Sequence, residues 1–299
     1  MLLSGIFLLF LSGLVIADHF GYSNELQKEW IKKSAACEGK NQSPISISTV
    51  NAVPLAIPAL EMVGYHNLLP RPISISNNGH SVELKPYRVP ILDNTAQIFG
   101  GLLPNKYHLE TFHFHWGRKN NRGSEHVIDS VRFPMEMHII HRNEKYDTIG
   151  EALKHPDGLV VLAFFLQTRE KDNAALRPIL NELQFLVAEG SGVYMSETFP
   201  LASLLPRSLD YFYTYQGSLT TPPCSEAVTW IVFPDPLPVS FTQMAQFRTL
   251  TTGGSHHLLD NYRRLQPLNS RKIYVKRVVA DASYFRNSVL NVSDPAFWH

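Results

Sequence analysis

The stretch Thr111-Phe-His-Phe-His-Trp-Gly117 carries two histidines one residue apart in an apolar, aromatic run. As a strand it places side chains at i and i+2 on one face. His113 and His115 then project together, while Phe112, Phe114 and Trp116 pack on the reverse. The chain must therefore supply an apolar layer behind the aromatic residues and a separate use for the histidine face. Two same-face imidazoles can share a metal ion. They can equally be core histidines, each bonded to a carbonyl.

A second strand-like run, "PMEMHIIHRN", follows after a segment long enough to turn the chain, with "NNRGS" as a turn signal. As an antiparallel neighbour it brings His138 or His141 beside the first pair. The two are three residues apart and face opposite ways in a strand, so one of them at most joins the site. Glu136 shares a face with His138 and is placed to hydrogen-bond a ligand ring from behind. Three imidazoles with an open fourth position describe a catalytic zinc site, whereas structural zinc takes four protein ligands.

Short runs rich in Val, Ile, Phe, Tyr and Thr recur along the chain. "PISISNNGHSVELKP" reads as strand, Asn78-Gly79 turn, strand. "LVVLAFFLQ" and "AVTWIVF" are continuous apolar runs, as expected for strands buried on both faces. Helical pattern is sparse: "SNELQKEWIKKSA", "NAALRPILNELQFLVAEG" and "SFTQMAQFRTL", the last with Ser240 or Thr242 as N-cap. The expectation is a mixed α+β, mainly β protein: a single domain around a large central sheet, with short helices at its periphery. No repeat or composition shift marks a second domain.

The first seventeen residues, "MLLSGIFLLFLSGLVIA", are apolar with small residues at positions 15 and 17. They read as a secretory signal peptide, the alternative being an uncleaved anchor. Residues 18–299 then form the domain, with a core over about 20–275 and an exposed C-terminal tail. Two cysteines, Cys37 and Cys224, in a secreted chain pair as a disulfide; the alternative is two buried thiols. Asn291 opens a glycosylation sequon on the tail, and no C-terminal apolar run offers a membrane anchor. With 27 basic and 26 acidic residues the chain has no electrostatic footprint for nucleic acid.

The motifs "FHFHWG", "GSEH", "MHIIH", "NNGH", "NQSPI" and "SLTTPP" resemble those of the α-class carbonic anhydrases and occur along the chain in that family's order and at about its spacings. The resemblance runs from Gly21-Tyr22 to Asn269 and looks like the secreted branch. It implies a large twisted, mostly antiparallel sheet and a Zn2+ ion held by His113, His115 and His138. The implied reaction is reversible hydration of carbon dioxide by zinc hydroxide, giving bicarbonate and a proton. Glu125 is similar to a carboxylate that accepts from a threonine hydroxyl, and Thr220 to that threonine. His80 matches a proton shuttle. Tyr22, Asn78 and Thr221 match residues that order solvent, and Asn261 one that supports the site from behind. Ile140, Val161, Leu219, Val228 and Trp230 are implied around an apolar carbon dioxide pocket. Sulfonamide and anion inhibitors are expected on the same grounds.

Two positions depart from the family pattern. Thr111 stands where the family usually has a glutamine that holds the first ligand ring, and Phe20 stands in place of a tryptophan. The alternative to an enzyme is a catalytically silent extracellular binding or matrix protein of the same fold; that alternative calls for loss of a zinc ligand, and all three candidates are present. A serine esterase lacks its G-x-S-x-G elbow here.

Overall fold

The computed structural model describes residues 20–87, 95–253 and 256–276. The signal-peptide reading and the Asn291 sequon lie outside these residues. The chain folds around one 12-stranded sheet, with short helices at its margins. At the centre lie four long strands in the order Tyr107–Trp116, Met135–Asn143, Leu159–Arg169 and Val228–Ser240. The first three pair antiparallel, and the last two pair parallel. These last two contain the continuous apolar runs, and a parallel pair buried on both faces is where such runs belong. Elsewhere in this sheet the described pairs are antiparallel, apart from the edge pair Tyr274–Lys276 with Val53–Leu55; Ser46–Ile47 and Val127–Ile128 form a separate parallel pair.

Both faces of the sheet are covered. Phe112, Phe114 and Trp116 are fully buried in the larger core, together with Met137, Ile139, Leu162 and Phe164. Burying each large side chain is worth about 2–3 kcal/mol. The opposite face carries a smaller cluster around Val161, Phe165, Tyr215 and Trp230. The histidines stand on that second face, beside this cluster.

A register shift between Leu109 and Thr111 sets which residues line up. Beyond it, Thr111 lies opposite Ile140, His113 opposite His138 and His115 opposite Glu136. The next strand continues the rows, with Val161 opposite Ile140 and Ala163 opposite His138. Trp230 then lies opposite Val161. Period-2 alternation thus brings the three candidate histidines and apolar side chains onto one face from residues more than a hundred positions apart.

The helices are shorter than the sequence pattern. "SNELQKEWIKKSA" divides into Asn24–Lys28, Trp30–Lys33 and a 3₁₀ turn at Ala35–Glu38. Tertiary bonds hold these short pieces: the Trp30 indole donates to the Gly21 carbonyl, and the Gln27 amide to that of Tyr22. "NAALRPILNELQFLVAEG" is helical only over Arg177–Leu183, after a 3₁₀ turn at Ala174–Leu176, with its proline in the first turn where no N–H is required. The third helix is Phe241–Phe247. Ser240 is its N-cap, in a capping box with Gln243.

Candidate metal centre and active-site cleft

His113 and His115 come from one strand and His138 from its antiparallel neighbour. Three ring nitrogens converge. Nε2 of His115 lies 3.1 Å from Nε2 of His113 and 3.1 Å from Nδ1 of His138. The partners of the other ring nitrogens fix two tautomers. Nδ1 of His115 donates to the Asn261 carbonyl at 2.8 Å, and Nε2 of His138 donates to Glu136 Oε1 at 2.7 Å. The converging atoms of these two rings are therefore unprotonated, and their lone pairs face each other. Such an arrangement is repulsive by itself and suits a cation placed between them. Burial lowers the pKa of both His113 and His138, keeping them in the neutral form that a metal requires. The donor set thus fits a zinc ion.

Glu136 does more than hold one ring. Its Oε1 also lies 2.7 Å from Nδ1 of His126, and its Oε2 accepts from the backbone N–H of Glu125 and of His126. Burial pushes the Glu136 carboxyl up, but His126 and His138 outweigh it and hold the group well below the usual range. The Tyr215 hydroxyl lies 2.7 Å from Nε2 of His126 and donates to Ser43. His126, Tyr215 and Ser43 form a buried chain that sequence reasoning did not single out. Its members come from separate segments, and only the "GSEH" and "NQSPI" motifs touch it.

Glu125 is fully buried beneath the ligands. Its Oε1 accepts from the Arg263 backbone at 2.7 Å, and its Oε2 lies 3.5 Å from Nε2 of His115. That Oε2 has no hydrogen-bond partner among the described residues, so the expected bond from Thr220 is not formed in this structure. Thr220 and Thr221 stand on the wall of the cleft above it.

The cleft has a volume of about 350 Å³ and reaches from the three histidines to the surface. Ile140, Val161, Leu219 and Trp230 form its apolar wall, extended by Ile149, Leu153 and Leu159, which the sequence reading did not include. Val228 is fully buried, packs in the cluster behind that wall and does not line the cleft. Its partner across the parallel pair, Leu159, takes the lining position instead. His141 points into the opposite core, where its Nε2 lies 2.6 Å from the Tyr65 hydroxyl.

At the mouth, the turn after Ile73–Asn77 presents His80. Asn78 Oδ1 accepts from the N–H of His80 and of Ser81, and Gly79 adopts φ 82°, a left-handed conformation suited to glycine. The His80 ring stacks on Phe20 at 3.7 Å between centroids, with Tyr22 edge-on at 6.2 Å. Burial, with the Glu125 charge, raises the Tyr22 phenol well above its ordinary pKa. Asn261 sits behind the site. Its Oδ1 accepts from the Trp116 backbone at 2.6 Å.

The other wall is polar. Thr111 and Glu83 face the cleft, with Lys85 at its rim. Burial raises the Glu83 pKa, while Lys85 and the Thr111 hydroxyl favour its charged form. Cys37 and Cys224 are joined in a disulfide, and the described residues contain no free cysteine.

Residues 25–277 match the family model for the eukaryotic-type carbonic anhydrases. The chain is 39% identical over 249 residues to carbonic anhydrase 7 of Homo sapiens, covering 82% of this chain and 91% of that protein. Its identity to carbonic anhydrase 15 of Mus musculus is 38% over 253 residues, covering 82% of this chain and 78% of that protein.

Proposed function

Given that the chain belongs to the eukaryotic-type carbonic anhydrase family, we propose that it is a secreted zinc enzyme for the reversible hydration of carbon dioxide to bicarbonate and a proton. The observation that carries this reading is the pair of opposed lone pairs on His115 and His138, 3.1 Å apart, with Nε2 of His113 equally close to His115. His113, His115 and His138 would hold the zinc, which supplies Lewis acidity that makes water nucleophilic near neutral pH.

The chain's own groups supply the rest. Ile140, Val161, Leu219 and Trp230 offer a nonpolar gas an apolar surface next to the ligands. Thr220 orients the nucleophile once its hydroxyl turns to donate to the Glu125 Oε2 that this structure leaves open, so that the threonine oxygen acts as an acceptor. Tyr22, Asn78 and Thr221 order the solvent between the ligands and the mouth. His80 takes the released proton on a ring nitrogen and passes it to buffer. The disulfide supports secretion, because such bonds persist in oxidising compartments. No helix among the described residues is long and apolar enough to cross a membrane.

Stopped-flow carbon dioxide hydration by purified protein, before and after chelation and after zinc is restored, tests the reading. Turnover lost with the metal and regained with zinc supports it. A zinc-replete protein without turnover would leave a silent binding protein of the same fold.

A further inference from the structure

The polar wall of the cleft has no part in the reaction described above. Glu83 lies directly opposite His113 in the pairing of Val82–Pro86 with Tyr107–Trp116. Opposed residues on one face have Cβ atoms roughly 4.5–5.5 Å apart, so Glu83 stands beside the first candidate ligand, one strand over. Val82 and Leu84 are buried in the core, which fixes Glu83 on the cleft face. The side chain is half-buried; burial raises its pKa, and the Lys85 charge and the Thr111 hydroxyl oppose that rise. Lys85 is exposed at the rim, where its ammonium can remain in water.

We propose that Glu83 makes this wall a subsite for cationic substituents, so that a ligand anchored at the three-histidine centre and bearing a primary ammonium is held by the Glu83 carboxylate. An ionised carboxylate only accepts hydrogen bonds, and Thr111 leaves most of its acceptor sites open to the cleft. The position is partly shielded from water, so an ion pair there is stronger than on an open surface. The inference rests on the proposed zinc reading, since the anchor is a metal-binding head group.

The test uses 3- and 4-(aminomethyl)benzenesulfonamide and their hydroxymethyl counterparts. Binding to the zinc-loaded protein is measured by calorimetry at about pH 8, above the ordinary carboxylate range. The expected result is at least one aminomethyl compound bound about fivefold tighter than its hydroxymethyl partner. Glu83→Gln should abolish that preference and leave the hydroxymethyl affinities unchanged. Equal affinities in the unaltered protein, or a preference that survives in Glu83→Gln, would overturn the subsite while the zinc reading stands. Failure of all four compounds to bind would remove the zinc reading and the subsite together.

Discussion

The side-chain amide of Asn261 donates to the main-chain carbonyl of His80 across 2.8 Å. Through its own carbonyl and Oδ1, the same residue receives the ring N–H of His115 and the backbone N–H of Trp116. One buried side chain therefore ties the turn at the cleft mouth to the strand that carries the ligands. Asn261→Ala should strand the Trp116 N–H and remove the bond to the His80 carbonyl, while the Phe114 carbonyl keeps its bond from the Ser81 hydroxyl. An unsatisfied buried group costs about 1–3 kcal/mol, so urea unfolding should show a loss of that order. Stability equal to that of the unaltered protein would mean that the loop repacks without it.

His80 stacks face to face with Phe20 at the solvent end of the cleft. In its proposed role of proton relay, His80 would matter most when buffer is scarce. His80→Ala should slow turnover about tenfold or more in dilute buffer, with little change in concentrated buffer, and added imidazole should restore the rate. Stopped-flow assays across a buffer series report this directly. A rate in dilute buffer that ignores the substitution would remove the relay.

Glu136 Oε1 sits 2.7 Å from Nε2 of His138, and four donors surround the carboxylate. Glu136→Gln turns one acceptor oxygen into a donor amide amid those donors and weakens the hold on the His138 tautomer. Groups that orient metal ligands typically change affinity by roughly 10–100-fold, and a loss in that range is expected in competition with a chelator. Unchanged zinc affinity would show that strand geometry alone positions the ring.

The parts of this site that follow the two-residue period were legible in the sequence. Side-chain alternation paired His113 with His115 and Glu136 with His138 but left His138 and His141 as alternatives; the family resemblance chose His138, and the register places it opposite His113. Alternation also left His138 and His141 to opposite faces, and the structure sends His141 to the Tyr65 side. The rest depends on long-range packing. The partnership of His126 with Tyr215 and Ser43 joins three distant segments, which no local pattern encodes. Val228 shares a face with Trp230, but its depth depends on what covers it. Helix limits failed for a related reason: pieces of four to seven residues are stabilised by the bonds their side chains make elsewhere, so periodicity overstates their length.

Cys37 and Cys224 are 187 residues apart, and Cys224 follows closely on the Thr220 segment. In the chain-entropy model, a loop of that length gives the bond an upper-end contribution of about 5 kcal/mol. Replacing both cysteines with serine should therefore lower the denaturation midpoint markedly, as read by urea unfolding under oxidising conditions. Addition of reductant should then move the unaltered protein toward the variant and leave the variant where it is. Coincident curves for the two proteins without reductant would contradict this role.

His141 gives the acid limb of stability a specific contributor. Burial lowers its pKa to about 3 in the folded protein, against an ordinary value of about 6.5 once the chain unfolds. Between those values the unfolded chain takes up a proton that the folded chain refuses, so stability falls as pH drops. From pH 6.5 to about 4.5 this one group should remove about 2–3 kcal/mol. His141→Gln keeps an acceptor for the Tyr65 hydroxyl and removes the titration. The gap in unfolding free energy between the zinc-loaded proteins should therefore narrow as the pH is lowered through that window. A gap independent of pH would mean that His141 is protonated alike in both states.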